Sequence, residues 1–262
     1  MAEAAGLYYE THGARDALPL ILSSGLGGSA SYWAPNIPAL AEHFYVIAYD
    51  HRGTGRSDRR LPDVVTVDDF VDDLLTLMDA LAIPQASIVG HAAGAVAALS
   101  CALRAPDRVR ALVSVNGWAK ADPHFLRCFE ARLNLLRYAG VDAFLRAQPI
   151  FLYPANWISQ HTAELDAELP VQRSHFPGIA TTEKRIAALA AFDITDRLQE
   201  IQTVQVLVYA TRDDMLVPSR ASEALMAGLP QPFDGIWDYG GHACNVTDPE
   251  TFNREIINFL RS

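Results

Sequence analysis

Short apolar runs alternate along this chain with longer stretches in which apolar residues recur every three or four positions. The runs at 18–23, 44–49, 86–89, 109–115, 204–210 and 235–239 read as strands. Between them, residues 66–81 carry Phe70, Leu74, Leu77, Met78 and Leu81 at helical spacing, with Thr66 placed to cap the first turn. Residues 92–104 are small and apolar nearly all round, as a helix buried against a sheet requires. The last helix opens at Thr247-Asp248-Pro249-Glu250 and presents Phe252, Ile256, Phe259 and Leu260 to a core. Either Asp248 caps it with Pro249 in first position, or Thr247 and Glu250 form a capping box. Strands alternating with helices predict an α/β fold, a mostly parallel sheet flanked by helices. Residues 118–196 break the alternation with several helical segments, prolines at 123, 149, 154, 170 and 177, and no convincing strand. They read as a helical lid inserted into a core formed by residues 1–117 and 197–262. Ligands of open α/β sheets bind beyond the carboxyl ends of the strands, so such a lid shapes the pocket.

Composition narrows the classes. A chain of 262 residues, half of them hydrophobic, can bury a substantial core. Its 31 acidic residues exceed its 21 lysines and arginines, giving a formal charge of −10 with no basic run. Nucleic acid and anionic membrane surfaces are therefore not expected as partners. The first residues do not follow a signal-peptide pattern, and no apolar run reaches the roughly 20 residues of a membrane span. Cys101, Cys128 and Cys244 have neither metal-ligand nor disulfide spacing. A cytoplasmic enzyme without cofactor or metal is the expectation. A homodimer is compatible with the sequence but not specified by it.

Four features carry chemistry, in a meaningful order. Ile21 to Ser29 runs from a strand into a glycine-rich turn, where the Leu26 N–H can face an anion. Gly90-His91-Ala92-Ala93-Gly94 has the G-x-S-x-G pattern of a nucleophile elbow, with alanine in the serine position. The Ala93 N–H opens the following helix and can supply a second oxyanion donor. Asp213 and Asp214 follow a strand, and His242 sits in Tyr239-Gly240-Gly241-His242-Ala243 after the last one. The order elbow, acid, histidine resembles an α/β-hydrolase triad, and Asp50–Ser57 (DHRGTGRS) is a further local signature resembling that fold. In such hydrolases the acid sits four residues before a proline, here Pro218, which favours Asp214 over Asp213. His242 is then the proton-transfer residue and Asp214 its orienting partner.

Other residues have plainer readings. His91 flanks the elbow and is read as packing. Cys244 is off the strained turn and is read as a buried bystander. Trp118, Arg127, Arg132 and Tyr153 are the candidate pocket residues of the insertion, the two arginines being able to hold an anion although surface arginines are common. Gly25 to Ala30 also fits the dinucleotide fingerprint, with Asp50 about 20 residues on. Pro35 and Pro38 interrupt the helix that fingerprint needs, and the elbow, acid and histidine would go unexplained.

Longer matches extend into the insertion: SGLGGS with Ser31-Tyr32-Trp33, Arg52–Gly55, Val89–Ala92, Ser114–Trp118, Arg127–Phe129, Gln148–Pro154, and Gly240 through Asn253. On these the chain resembles the RutD family, α/β-hydrolase-like proteins of the Rut pyrimidine-utilisation pathway. The resemblance implies breakdown of a small pyrimidine-derived product, carbamate or, in an older assignment, aminoacrylate. It also implies that alanine at the elbow is native. An alanine elbow predicts proton transfer by His242 with the Leu26 and Ala93 amides holding the substrate, and no acyl-enzyme at residue 92. The alternatives are a binding protein on a hydrolase scaffold, or a serine hydrolase whose elbow serine has been replaced by alanine.

Overall fold

A computed structural model describes residues 2–262. Its eight-stranded sheet comprises β1 (Ala2–Ala4), β2 (Leu7–His12), β3 (Pro19–Ser23), β4 (Tyr45–Tyr49), β5 (Ala86–His91), β6 (Val109–Val115), β7 (Gln205–Thr211) and β8 (Pro232–Trp237), in the order β1-β2-β4-β3-β5-β6-β7-β8. From β4 to β8 the pairs are parallel, and only the N-terminal β1–β2 and β2–β4 pairs are antiparallel. Ser23 pairs with Gly90, His91 with Val115, and Val115 with Tyr209. That register brings the residues following β3, β5, β6 and β7 out at one edge of the sheet.

Helices cover both faces, and the strand side chains alternate between them as a period of two demands. Ile21, Ile88, Leu112 and Val206 face one apolar cluster with α2 (Val67–Ala80) and α3 (Ala93–Arg104). Leu20, Leu22, Val89, Val113 and Leu207 face a second cluster containing Trp33, Leu40, Phe252 and Ile256. These last residues come from a 3-10 turn, from the short α1 (Ile37–Ala41) and from the C-terminal helix (Pro249–Arg261). Of the two starts open for that C-terminal helix, the Asp248 cap forms: its carboxylate accepts the Thr251 N–H at 3.1 Å. Thr66 begins α2, and Asp69 Oδ2 accepts both its N–H at 2.7 Å and its hydroxyl at 2.9 Å.

Between β6 and β7 lie five helices: α4 (Pro123–Asn134), α5 (Val141–Leu152), α6 (Ala155–Gln160), α7 (Thr162–Ser174) and α8 (Ile179–Ala191). The two ends of this insertion are stitched together. Lys120 and Asp193 form an antiparallel bridge, and the Ile194 N–H donates to the Ala119 carbonyl at 2.9 Å. Leu136, Phe144 and Leu145 give the insertion a small core of its own. The chain closes with α9 (Ser219–Gly228), α10 (Cys244–Thr247) and the C-terminal helix, now α11.

Three strands depart from the sequence expectation. The N-terminal hairpin β1–β2 lies before the first expected strand, and β8 runs over Pro232–Trp237 rather than 235–239. β1 and β8 are the two edge strands, and β2 lies next to β1. β8 alternates only between half-buried and exposed residues, so no apolar run marks its start.

Candidate active site

Ala92 stands between β5 and α3 with φ 49° and ψ −106°, a left-handed backbone that residues other than glycine rarely adopt. Two hydrogen bonds hold the bend. The Ala92 N–H donates to the Val115 carbonyl at 2.9 Å, and its own carbonyl accepts the Val96 N–H at 3.0 Å. The flanking glycines are required by close approach: a β-carbon on Gly94 would overlap the Ser23 carbonyl, and one on Gly90 the Gly94 carbonyl. Ala93, Gly94 and Ala95 open α3, so their N–H groups have no carbonyl within the helix to serve. The Gly25 backbone lies across from the elbow, close enough that a β-carbon there would meet His91 Nδ1 at 2.9 Å and the Ala92 methyl at 3.7 Å. Leu26, half-buried, follows it.

His242 and Asp214 meet at this edge. His242 Nδ1 lies 2.7 Å from Asp214 Oδ2, and the two residues are 2% and 7% exposed. With a carboxylate as its partner, Nδ1 carries the proton and donates, which leaves Nε2 for exchange with a ligand. The other carboxylate oxygen accepts the N–H groups of Leu216 at 2.7 Å and Val217 at 2.9 Å. Asp213 has separate work. It accepts from Gly241 N–H at 2.9 Å and Gly240 N–H at 3.3 Å, bracing the loop that delivers the histidine. Gly241 has φ 66°, and a β-carbon there would come within 2.8 Å of Pro154 Cδ, so glycine is needed at that turn.

The carbonyl of His242 is itself held by two side chains. Asn116 Nδ2 donates to it at 2.7 Å, and His91 Nε2 donates at 2.8 Å. His91 lies between the Tyr32 ring, stacked at 4.8 Å, and the His242 ring at 4.6 Å. Burial, and then the adjacent His242, push its pKa well below the usual histidine range, so it is a neutral prop. Asn116 takes φ 48°, and its own N–H donates to the Tyr209 carbonyl at 2.8 Å. The sequence reading missed Asn116. Its signal was an asparagine directly after a buried strand, a residue type that tolerates this backbone.

Several buried polar atoms here find no partner among the described residues: Ser24 Oγ, His91 Nδ1, Asn116 Oδ1 and Trp118 Nε1. Buried polar atoms are ordinarily paired, so their concentration around the elbow suits a small polar ligand or water. Trp118 is buried against Phe125 at 4.5 Å. Tyr153 is half-buried, stacks on Trp157 at 4.4 Å, and burial raises its phenol to about 12. Arg132 is buried, whereas Arg127 lies exposed on the outer side of α4. The pocket expectation for Arg127 is therefore corrected: α4 buries Phe125, Cys128, Phe129 and Arg132, and residue 127 falls on the opposite side of that helix. Cys244 is no substitute nucleophile. Burial, with Asp214 nearby, raises its thiol far above the usual range.

Arg185, also missed, is fully buried and reaches from α8 to this edge. Its Nε donates to the Leu26 carbonyl at 3.3 Å, Nη1 to the Arg52 carbonyl at 3.4 Å, and Nη2 to His51 Nδ1 at 2.9 Å. A long polar residue on a mixed helix carries no sequence sign of such burial.

A bent elbow, a buried acid–histidine pair and a glycine turn across from them share the arrangement that G-x-S-x-G hydrolases build at the carboxyl edge of their sheet. The family model for the α/β-hydrolase fold matches residues 19–249. A relative from Caulobacter segnis is 51% identical over 97% of this chain and 96% of its own, and one from Rhizobium rhizogenes is 47% identical over 98% of both. Both are named as a carbamate hydrolase, RutD.

The chain belongs to the RutD family of α/β hydrolases.

Among solved structures, an enol-lactonase from Burkholderia xenovorans superposes with a TM-score of 0.88 at 25% identity, over 100% of this chain and 99% of that one. This RutD-family chain is thus a hydrolase by lineage, with a methyl where the superfamily pattern places a nucleophile. Among the described residues no helix is long and apolar enough to cross a membrane, and no cluster of ligating side chains could hold a metal ion.

Proposed function

We propose that this chain is a cytoplasmic, cofactor-free carbamate hydrolase of pyrimidine catabolism, working by proton transfer without a serine nucleophile. Carbamate is already an acid anion, and its carboxylate carbon is a poor target for an attacking oxygen. Its easier route begins at nitrogen. Protonated His242 gives its Nε2 proton to the carbamate nitrogen. The C–N bond then breaks with its electron pair going to nitrogen, while a carboxylate oxygen closes the second C=O of carbon dioxide. Ammonia takes a proton from solvent, and His242 regains its own. The Leu26 and Ala93 amides position the carboxylate, Asp214 fixes the imidazole and stabilises its charged form, and the Ala92 methyl leaves room for so small a substrate. Residues 118–196 serve as a lid over the core of 1–117 and 197–262, with Trp118 and Tyr153 as pocket walls.

The observation that carries this reading is the intact 2.7 Å Asp214–His242 pair beside an elbow that has no oxygen to activate, in a chain of this family. General acid catalysis is worth about 10²–10⁴-fold. Ammonium release from carbamate, after subtraction of the spontaneous rate, should therefore show an acceleration of that size for the wild type. It should fall to background in a folded His242→Ala variant. Equal rates in the two proteins would sink the proposal, and saturable binding with no acceleration would make the chain a binding protein instead.

A further inference from the structure

One side of α4 carries His124, Cys128 and Arg132 at four-residue spacing. The first two reach the loop that holds Asp214. His124 Nε2 lies 2.8 Å from the Met215 carbonyl oxygen, and the Cys128 thiol lies 3.6 Å from the same oxygen. Arg132 is one turn farther along, about 6 Å by helical rise. From the other flank, α5 ends at Leu152, whose carbonyl accepts the Ala243 N–H at 2.9 Å, immediately after His242. Gln148 lies one turn back from Leu152. The two meet: Arg132 Nη2 donates to Gln148 Oε1, and Gln148 Nε2 donates to the Phe144 carbonyl at 3.0 Å.

Arg132 is 4% exposed, and its guanidinium carbon lies 5.0, 5.6 and 5.7 Å from the ring centroids of Phe129, Phe151 and Phe144. Its Nε finds no partner, and it pairs with no carboxylate among the described residues. Burial lowers its pKa to about 10, which leaves it cationic at neutral pH. A desolvated charge with neither counter-ion nor full hydrogen bonding is expensive, and the ring faces offset only part of that cost. Arg185, equally buried, donates to two carbonyls and a histidine; Arg132 has donors left over. Phe129 and Phe151 belong to the same large apolar cluster as Ala92 and Leu26, on the face of the sheet covered by α2 and α3.

We propose that Arg132, its plane set by Gln148, is a carboxylate subsite for small organic acids whose reacting group lies at Ala92 and His242, because Arg132 and Gln148 each stand one helical turn from a residue that touches the chain beside Asp214 or His242. This rests on the reading of His242 as the proton-transfer residue and extends its substrates. Carbamate, with nitrogen and carboxylate on one carbon, occupies only the His242 end. An acid with a spacer of a few atoms reaches both.

Butyrate and its neutral isostere butyramide are the probes, with binding followed by calorimetry and folding by thermal melts. Wild type should bind butyrate at least ten-fold more tightly than butyramide. Arg132→Met should lose that preference while melting no lower than wild type, since the variant removes a desolvated charge. Gln148→Leu, which keeps the charge and releases its plane, should weaken butyrate several-fold. Binding of butyrate no tighter than butyramide in wild type overturns the proposal, and so does a preference that survives Arg132→Met. The two readings fail separately. A butyrate preference that depends on Arg132, in a wild type that does not accelerate carbamate breakdown, leaves the subsite standing and removes carbamate.

Discussion

Ala92 holds a backbone that its side chain does not favour. At φ 49° and ψ −106° a β-carbon costs about 1–2 kcal/mol relative to glycine, more than glycine loses through its freer unfolded chain. Ala92→Gly should therefore raise the melting temperature by about 2–4 °C in a protein of this size. A lower melting temperature would mean that the bend is unstrained. Because the pattern of flanking glycines dictates the turn, the elbow was legible in the sequence although its nucleophile is missing. The contest between Asp213 and Asp214 was harder to read. Adjacent carboxylates point to different partners once the loop is folded, one to His242 and the other to the Gly240 and Gly241 amides. The backbone of Asn116 left a signal, but its work and that of Arg185 did not, because the contacts that define them come from residues 126 and 134 positions distant.

At the scale of elements, periodicity succeeded where burial was one-sided or complete. Helix α2 shows its core face in Phe70, Leu74, Leu77 and Met78, and α3 shows none because it is buried all round. Edge strands failed for the converse reason: β8 packs too little to leave an apolar trace. Close packing of α3 on β3 makes a sharp prediction. Gly94→Ala would place a methyl inside the Ser23 carbonyl, backbone against backbone, and should cost upwards of about 3 kcal/mol or leave the protein insoluble. Gly27→Ala in the nearby turn meets nothing within 4 Å and should leave the melting temperature within about 2 °C. Equal effects in paired melts would refute the packing account of the elbow glycines. Asp69→Ala removes a carboxylate that accepts twice from Thr66, and should cost about 1 kcal/mol.

For the molecule as a whole, two neutral histidines set an acid limit. Burial drives His51 and His91 well below their ordinary range, with Arg185 adding to the effect at His51 and His242 at His91. The unfolded chain takes up these protons near pH 6.5 and the folded chain does not, so stability falls as the pH drops through that value. Each histidine contributes up to about 1.4 kcal/mol per pH unit below it. Melting temperatures should decline between pH 7 and 5, and the decline should be shallower in His51→Gln. A flat profile over that window would show that both rings protonate within the fold. The overall architecture was legible because the alternation of strands and helices depends on neighbours in sequence. How the inserted helices meet the core depends on partners far along the chain.

One such meeting is the hydrogen bond from the Ala243 N–H to the Leu152 carbonyl. It joins the last turn of α5 to the residue after His242. If residues 118–196 serve as the proposed lid, a swing of α5 must break this bond or move the residue after His242. Access to the site and the placement of the imidazole would then be governed by a single hydrogen bond.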